Sequence, residues 1–339
     1  MSGITYRDSG VDIDLKSRFI ELLVSELKYR RRGGKSPVGS GHFTSAVPFG
    51  NMYLTLGTDG VGSKLQLARE MGIWDTVGID CVAMNANDTI CVGAEPLALV
   101  DYIALPAPDT SIASSIGRGL NAGASAAGAE IVGGEVAVLV DMVKEIDISA
   151  SCLGAVDRKS LVTGRGIMPG DEIIGVASSG LHSNGFTLVR KLLRETGTST
   201  GERFGGTTLG RELLRPTQIY VRPVLKALKR HRIRGMANIT GGGFRNILRL
   251  KRGVRFSIDS LPTVPKIFGF LSDLGGVESA EMFQTFNMGT GFIMVAARGD
   301  GDDAARTLED SGLRAGVIGH VEKGDGVVLT QYGVEYDRY

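Results

Sequence analysis

Glycine fills 49 of the 339 positions, where an average chain carries about 7%. The excess is not a low-complexity tract; it sits in short loops between apolar runs. A chain punctuated this densely folds as many short elements joined by tight turns, and its backbone N–H groups can approach an anion closely. Strand patterns at 52–56, 97–105, 130–135, 146–156, 172–177 and 236–240 are mixed with helical patterns at 14–27, 77–92, 111–128 and 184–194. A further mostly helical stretch, 213–229, is interrupted by Pro216 and Pro223. The order lacks the strict rhythm of a doubly wound sheet, so it predicts an α+β class with mostly antiparallel sheets. Residues 157–169, with Gly164, Gly166 and Pro169, predict a boundary between an N-terminal domain over 1–160 and a C-terminal domain over 165–339. The Ala- and Gly-rich helix 111–128 is expected to lie close against a sheet. Ser183 or Asn184 is expected to cap the helix that follows, and 196–210 to be an exposed loop.

Composition removes several function classes. Lys and Arg number 38 and Asp and Glu 37, a net charge of +1, which is not the basic field that nucleic-acid binding needs. The three cysteines, Cys81, Cys91 and Cys152, form no CxxC. Their odd count argues against a disulfide framework and a thiolate zinc site and fits a reducing cytosol. No apolar run reaches the roughly 18 residues of a membrane span, and the first residues lack the basic and apolar regions of a signal peptide. The expected location is cytoplasmic.

Candidate chemistry collects in a few loops. Thr58-Asp59-Gly60-Val61-Gly62-Ser63-Lys64 follows a strand, but Ser63 stands where a phosphate loop needs glycine. It reads either as an ordinary turn or as a site where Asp59 holds Mg²⁺ and Lys64 neutralises a phosphate. On a helix, Asp80, Asn87 and Asp88 fall in one stripe among apolar neighbours. Two such carboxylates need a cation or a shared proton between them, unless they are capping or salt-bridged acids. Gly134-Glu135 ends a strand and Asp101 sits within another. Ser178 to Gly185 joins a strand to a helix N-terminus, an anion site by construction, with His182 as acid, base or phosphate donor; the alternative is a capping loop with a structural histidine. Thr240-Gly241-Gly242-Gly243 is a second such turn. The basic run 28–35 reads as solvated surface or as a greeting for an anionic ligand. These features alone point to an ATP-dependent enzyme acting on a small phosphate ester.

The same residues carry a resemblance. Asp88-x4-Gly93-Ala94-Glu95-Pro96 is similar to the D-x4-G-A-x-P signature of the aminoimidazole ribonucleotide synthetase superfamily. Within it the chain resembles the phosphoribosylformylglycinamidine cyclo-ligase family nearly end to end. The carrying stretches are 6–14, Gly57 to Lys64, Gly78-Ile79-Asp80, Gly133-Gly134-Glu135, His182-Ser183-Asn184-Gly185, 216–221, 240–243 and 281–289. The resemblance implies two domains and a homodimer in which N-terminal-domain strands of both chains build a central barrel. It implies a C-terminal α/β sandwich-like domain and an active site between the domains. It further implies ATP, Mg²⁺ and formylglycinamidine ribonucleotide as ligands, with no nucleic acid and no membrane. Carried onto this chain, the catalytic set is Asp59, Lys64 and His182. The nucleotide set is Thr58, Asp59, Gly60, Asp80, Asp88, Gly134 and Glu135, and the metal set is Asp59, Asp80 and Asp88. The substrate set is His182, Ser183, Asn184, Thr240, Gly241 and Gly242.

Two stretches depart from the family pattern. Residues 37–43 hold fewer glycines than the family's loop and include His42, and Val136 with 138–141 replaces a threonine and a Met-Pro-Gly segment. The rival readings are a superfamily kinase of the thiamine monophosphate type and an inactive nucleotide-binding paralogue. Selenophosphate synthesis and hydrogenase maturation each need a cysteine where this chain has none.

Overall fold

The computed structural model describes residues 13–29, 36–39 and 41–338. The segment 6–12 and most of the basic run, 30–35, lie outside the described residues. The first half runs α1 (Ile13–Glu26), β1 (Ser45–Phe49), β2 (Met52–Gly60), α2 (Lys64–Met71), α3 (Asp75–Ile90), β3 (Glu95–Leu105), α4 (Thr110–Ala127), β4 (Glu130–Val138) and β5 (Asp147–Asp157). The second runs β6 (Glu172–Ala177), α5 (Phe186–Thr196), β7 (Arg203–Phe204), β8 (Thr207–Thr208), α6 (Leu209–Leu213), α7 (Val221–Leu228) and β9 (Ile233–Asn238). It continues through a 3₁₀ turn (Gly243–Arg249), β10 (Arg255–Ile258), α8 (Lys266–Gly275), α9 (Ser279–Thr285), β11 (Thr290–Ala296), α10 (Gly301–Glu309), β12 (Ala315–Glu322), β13 (Gly326–Leu329) and β14 (Val334–Tyr336).

Two sheets result. The first, ordered β1-β2-β5-β3-β4, curls into a half-barrel, and only β3 and β4 in it pair in parallel, across the α4 crossover. The second, ordered β14-β13-β10-β12-β6-β11-β9, has only the β10–β13 pair parallel. This is the mostly antiparallel α+β arrangement that the mixed sequence pattern implies.

α3 is the spine of the molecule. It packs on β2, β3 and β5 on one side and touches α7 and β9 of the second half on another. Most of its residues are buried. The glycine-rich α4 packs on α3 rather than close against the sheet. A Cβ on Gly119 would overlap the Asp75 carbonyl, and one on Gly78 would overlap the α4 backbone at Leu120 and Ile116. Glycine at these crossings lets two backbones meet where any side chain would hold them apart. Asp109 caps α4, accepting from Ser111 N at 2.8 Å, and Gly128 ends it in the left-handed region at φ +71°. The three cysteines are buried, Cys81 and Cys91 beside α3's core residues and Cys152 on β5.

Three local expectations change. Gly185, at φ +75°, precedes α5, and neither Ser183 nor Asn184 caps it. The 196–210 stretch is not simply exposed: it forms the β7–β8 hairpin and turns Leu209 into the core. Residues 215–220 are not helical. Pro216 removes a donor and disfavours helix before itself, so the chain runs extended across α3 until α7 begins at Val221.

Candidate active site

The extended strap 215–220 is where the two halves grip each other. Asp80 on α3 accepts from the Thr217 backbone N–H at 2.7 Å and from its hydroxyl at 2.6 Å. Its other carboxylate oxygen receives the Lys64 ammonium at 2.7 Å, with both side chains fully buried. Lys64 also donates to the Arg215 carbonyl at 2.8 Å. Burial pulls the lysine down, and Asp80 opposes that shift. Asn87, two turns along α3, donates to the Gln218 carbonyl at 2.8 Å and accepts from Tyr220 N at 3.0 Å. The expected roles of Asp80 as a metal ligand and Lys64 as a phosphate neutraliser meet a different arrangement here. The cation beside Asp80 is Lys64 itself, and both groups spend their hydrogen bonds on the strap.

Asp59 and Asp88 stand apart from that pair. Asn85 clamps the Asp59 backbone, accepting from its N–H at 2.9 Å and donating to its carbonyl at 3.1 Å. Asp88 accepts from Asn238 of β9 at 2.7 Å. Burial pushes the Asp88 carboxyl up to about 7, the Asn238 hydrogen bond opposes the shift, Asp59 adds to it, and the Arg249 guanidinium opposes it. Asp59 and Asp88, both of the first half, thus feel each other, and Arg249 of the 3₁₀ turn is their cationic neighbour from the second half. Two carboxylates are the hard oxygen donors that Mg²⁺ takes together with phosphate and water, so this pair fits that ion and Asp80 does not. Among the described residues no group of three or more His, Cys, Asp or Glu side chains forms a ready metal cage.

On the second half, His182 sits in the left-handed region at φ +63°. Its Nε2 accepts from the Ser179 and Gln218 backbone N–H groups at 3.3 and 3.5 Å. Burial and the nearby Lys64 hold it down at about 3, so it is a neutral acceptor bracing its own turn, not an imidazolium. Ser183 meets the Thr217 hydroxyl at 3.3 Å. Asn184 reaches the other glycine turn, its Oδ1 3.3 Å from where a Gly241 Cβ would stand. Its Nδ2 is buried and has no hydrogen-bond partner among the described residues. In Thr240–Gly243, a Cβ on Gly243 would overlap the Phe283 carbonyl, and Gly242 adopts φ +105°. The two turns singled out in sequence are therefore neighbours, with an unused amide donor between them.

Thr58, Gly134 and Glu135 line a different hollow, of about 360 Å³, with Tyr102, Ser149 and Ser151 on the face of the first sheet away from α3. Gly60 lies at its edge, paired with Ser149. The expected nucleotide set is thus split across a sheet edge, with Asp59 on the α3 side.

Residues 44–156 match the family AIR synthase related protein, N-terminal domain, and residues 168–331 match its C-terminal domain. The chain is 43% identical to a phosphoribosylformylglycinamidine cyclo-ligase of Methanococcus maripaludis, over 94% of this chain and 92% of that one. It is 44% identical to the Methanocaldococcus jannaschii cyclo-ligase over the same shares, and 42% identical to that of Thermoplasma volcanium over 98% of each. The chain belongs to the phosphoribosylformylglycinamidine cyclo-ligase family. Solved structures of similar fold include a ThiL protein complexed with AMPPCP and TMP, at TM-score 0.67, 20% identity and 94% and 95% coverage. Another is a HypE–HypF complex, at TM-score 0.66, 18% identity and 95% and 98% coverage. At such identities these two share the fold alone.

For a cyclo-ligase family member, sequence reasoning overlooked the residues that hold its acids in place. Asn85, Asn238 and Arg249 carried no motif. The available signal was that Asn85 and Asn87 lie in an apolar helical stretch, where a buried amide must find partners.

Proposed function

We propose that the chain closes an imidazole ring: ATP and formylglycinamidine ribonucleotide give aminoimidazole ribonucleotide, ADP and phosphate. The observation that carries this reading is the 42–44% identity to cyclo-ligases over 94–98% of the chain. An amide oxygen is a poor leaving group. Its attack on the γ-phosphorus breaks the bond to ADP and makes an iminophosphate. The neighbouring amine nitrogen then attacks that carbon, phosphate departs with the former amide oxygen, and the nitrogen sheds its proton. Little covalent chemistry falls to the protein; alignment and charge neutralisation dominate.

In this reading Asp59 and Asp88 hold Mg²⁺, which offsets the charge on the nucleotide phosphates. Thr58, Gly60, Gly134 and Glu135 lie on the opposite face of the sheet from that ion, on the surface the second copy covers. Asn184, Ser183 and the Thr240–Gly242 turn receive the ribonucleotide phosphate through N–H and O–H donors. His182 positions that turn, and Lys64 with Asp80 fixes the distance between the halves. The half-barrel pairs with a second copy through its open face, where Val47, Phe49, Leu56, Val100 and Leu153 are exposed.

The test is product analysis with and without the ribonucleotide. ADP and free phosphate formed in step with a new five-membered ring, followed by NMR, is the expected result. Phosphate retained on an organic acceptor would indicate a kinase instead, and no ADP at all a nucleotide-binding protein.

A further inference from the structure

A second basic run, outside the residue sets assigned above, joins α7 to β9. Lys226, Lys229, Arg230, Arg232 and Arg234 fall within nine residues, with His231 among them and no acid. Like charges packed this densely repel one another unless anions offset them. Of these cations only Arg234 has an ion pair among the described residues, with Asp171 at 3.0 Å; Lys226 turns to the Ser311 hydroxyl at 3.2 Å. Lys229, His231, Arg232 and Arg234 line a cavity of about 720 Å³, and the segment between the two halves forms its other wall, with Lys159 on it. Met52 also lines it. The cavity thus sits at the start of β2, the opposite end from Asp59, roughly 20 Å away along the strand at about 3.3 Å per residue. Backbone bonds fix the walls. The Val162 N–H bonds the Val92 carbonyl at 3.0 Å, and the Gly164 N–H bonds the Arg234 carbonyl at 3.1 Å. Gly93, at φ +77°, lets the Ser160 carbonyl pass 3.1 Å from where its Cβ would stand.

The lining selects the chemistry of an occupant. The volume lies within the roughly 300–1,000 Å³ of small-molecule sites. Lys159, Lys229 and Arg232 offer charge from both walls without an ion pair of their own, and the two acids of the lining, Glu95 and Asp157, pair with none of them. Leu161, Leu225 and Leu228 add an apolar side. Thr307 spends its proton on the Asp303 carbonyl at 3.1 Å, so His231 donates from Nε2 to that hydroxyl at 2.7 Å and keeps a lone pair on Nδ1. Cations, an acceptor and an apolar side together suit a phosphate ester that carries hydroxyl groups and a flat ring. We propose that this cavity is a second ligand site, for a nucleoside monophosphate whose phosphate meets Lys159, Lys229 and Arg232. The proposal does not rest on the ring-closure reading. The walls do lead back to the acids of the first half: Val92 lies four residues after Asp88, and Arg234 four before Asn238, which donates to Asp88. A ligand here spans both chain segments that position that carboxyl.

The test titrates AMP by calorimetry into wild type, into Lys229→Glu with Arg232→Glu on one wall, and into Lys159→Glu on the other. Wild type is expected to bind AMP with an affinity that falls as salt rises. Each charge reversal should weaken one AMP-binding component roughly tenfold or more, with the ligand-free thermal midpoint unchanged or raised and KM for ATP and for the ribonucleotide unchanged. Lys159→Arg, which keeps the charge, should retain the affinity. Failure of wild type to bind AMP at millimolar concentration, or every AMP component unchanged in both charge reversals, would overturn the inference. Adenosine binding as tightly as AMP would overturn the phosphate contact. Displacement of AMP by a single-stranded RNA at far lower concentration would make the basic run a nucleic-acid surface and overturn it too. Should the double substitution not fold, Lys159→Glu decides alone. A wild type that never closes the ring refutes the functional reading, while the AMP titrations still decide this site.

Discussion

Asp88 is a carboxyl that the fold keeps half-protonated near neutrality. Its ordinary value of 3.8 is raised to about 7 by burial, so the folded state holds this proton more tightly than the unfolded chain. Stability therefore falls as pH rises from about 3.8 to about 7 and is level above. Asp88→Asn removes that penalty. Its thermal midpoint without ligand should exceed the wild type by an amount that grows across that window, while turnover with ATP drops by orders of magnitude. A midpoint difference independent of pH would contradict the assignment. The Asp80 charge is matched inside the protein by the Lys64 ammonium. Asp80→Asn strands the Lys64 ammonium, and breaking such a buried pair costs about 3–5 kcal/mol; the double substitution with Lys64→Met should recover much of it. Urea midpoints check this, and a single-substitution loss under about 1 kcal/mol would return the pair to marginal importance. Both acids stood out in the sequence because apolar residues flank them. Which was free for ligand and which was tied was not legible, because the Asp80 partner Thr217 lies 137 positions away and no local pattern encodes that meeting.

Helices and strands were the most readable level. The runs around α3, α4 and β5 alternate or repeat with the period their faces need, and their bounds fall within a few residues of expectation. Pro216 marks an interruption in the mostly helical stretch 213–229, but not that 215–220 runs extended, because the hydrogen bonds that hold it so come from Asp80 and Asn87 of a distant element. The packing of α4 was misassigned for a related reason. Glycine announces a close approach, but not to what. Gly119→Ala tests the observed partner. Alanine favours an isolated helix by about 1 kcal/mol, yet the new methyl would overlap the Asp75 carbonyl, and overpacking of this kind costs typically 1–3 kcal/mol. Net destabilisation is expected. Gly117→Ala, on the same helix with open space at its Cβ, should instead stabilise by up to about 1 kcal/mol. Equal effects at the two positions would argue against the α3–α4 crossing.

For the whole molecule, the open face of the first sheet is the least satisfied surface. Leu56 and Leu153 lie opposite each other in register and are both exposed. Val47, Phe49 and Val100 are exposed apolar side chains of the same sheet, and clustered exposed apolar residues mark an interaction surface. Sedimentation should give a dimer at micromolar concentration, and Leu56→Lys with Leu153→Lys a monomer; an active wild-type monomer would rule the pairing out. The placement of the thiols has a separate use. All three cysteines of the chain lie in the half built on the first sheet, none is accessible, and burial with nearby acids pushes Cys81 to about 12. An aqueous disulfide reagent therefore meets no target until that half opens, and nothing that happens to the other half consumes it. Reaction of Cys81, Cys91 and Cys152, followed as colour against time, becomes a stopwatch for the first half alone. If one core truly spans both halves, that stopwatch should run at the same rate as loss of the whole fold.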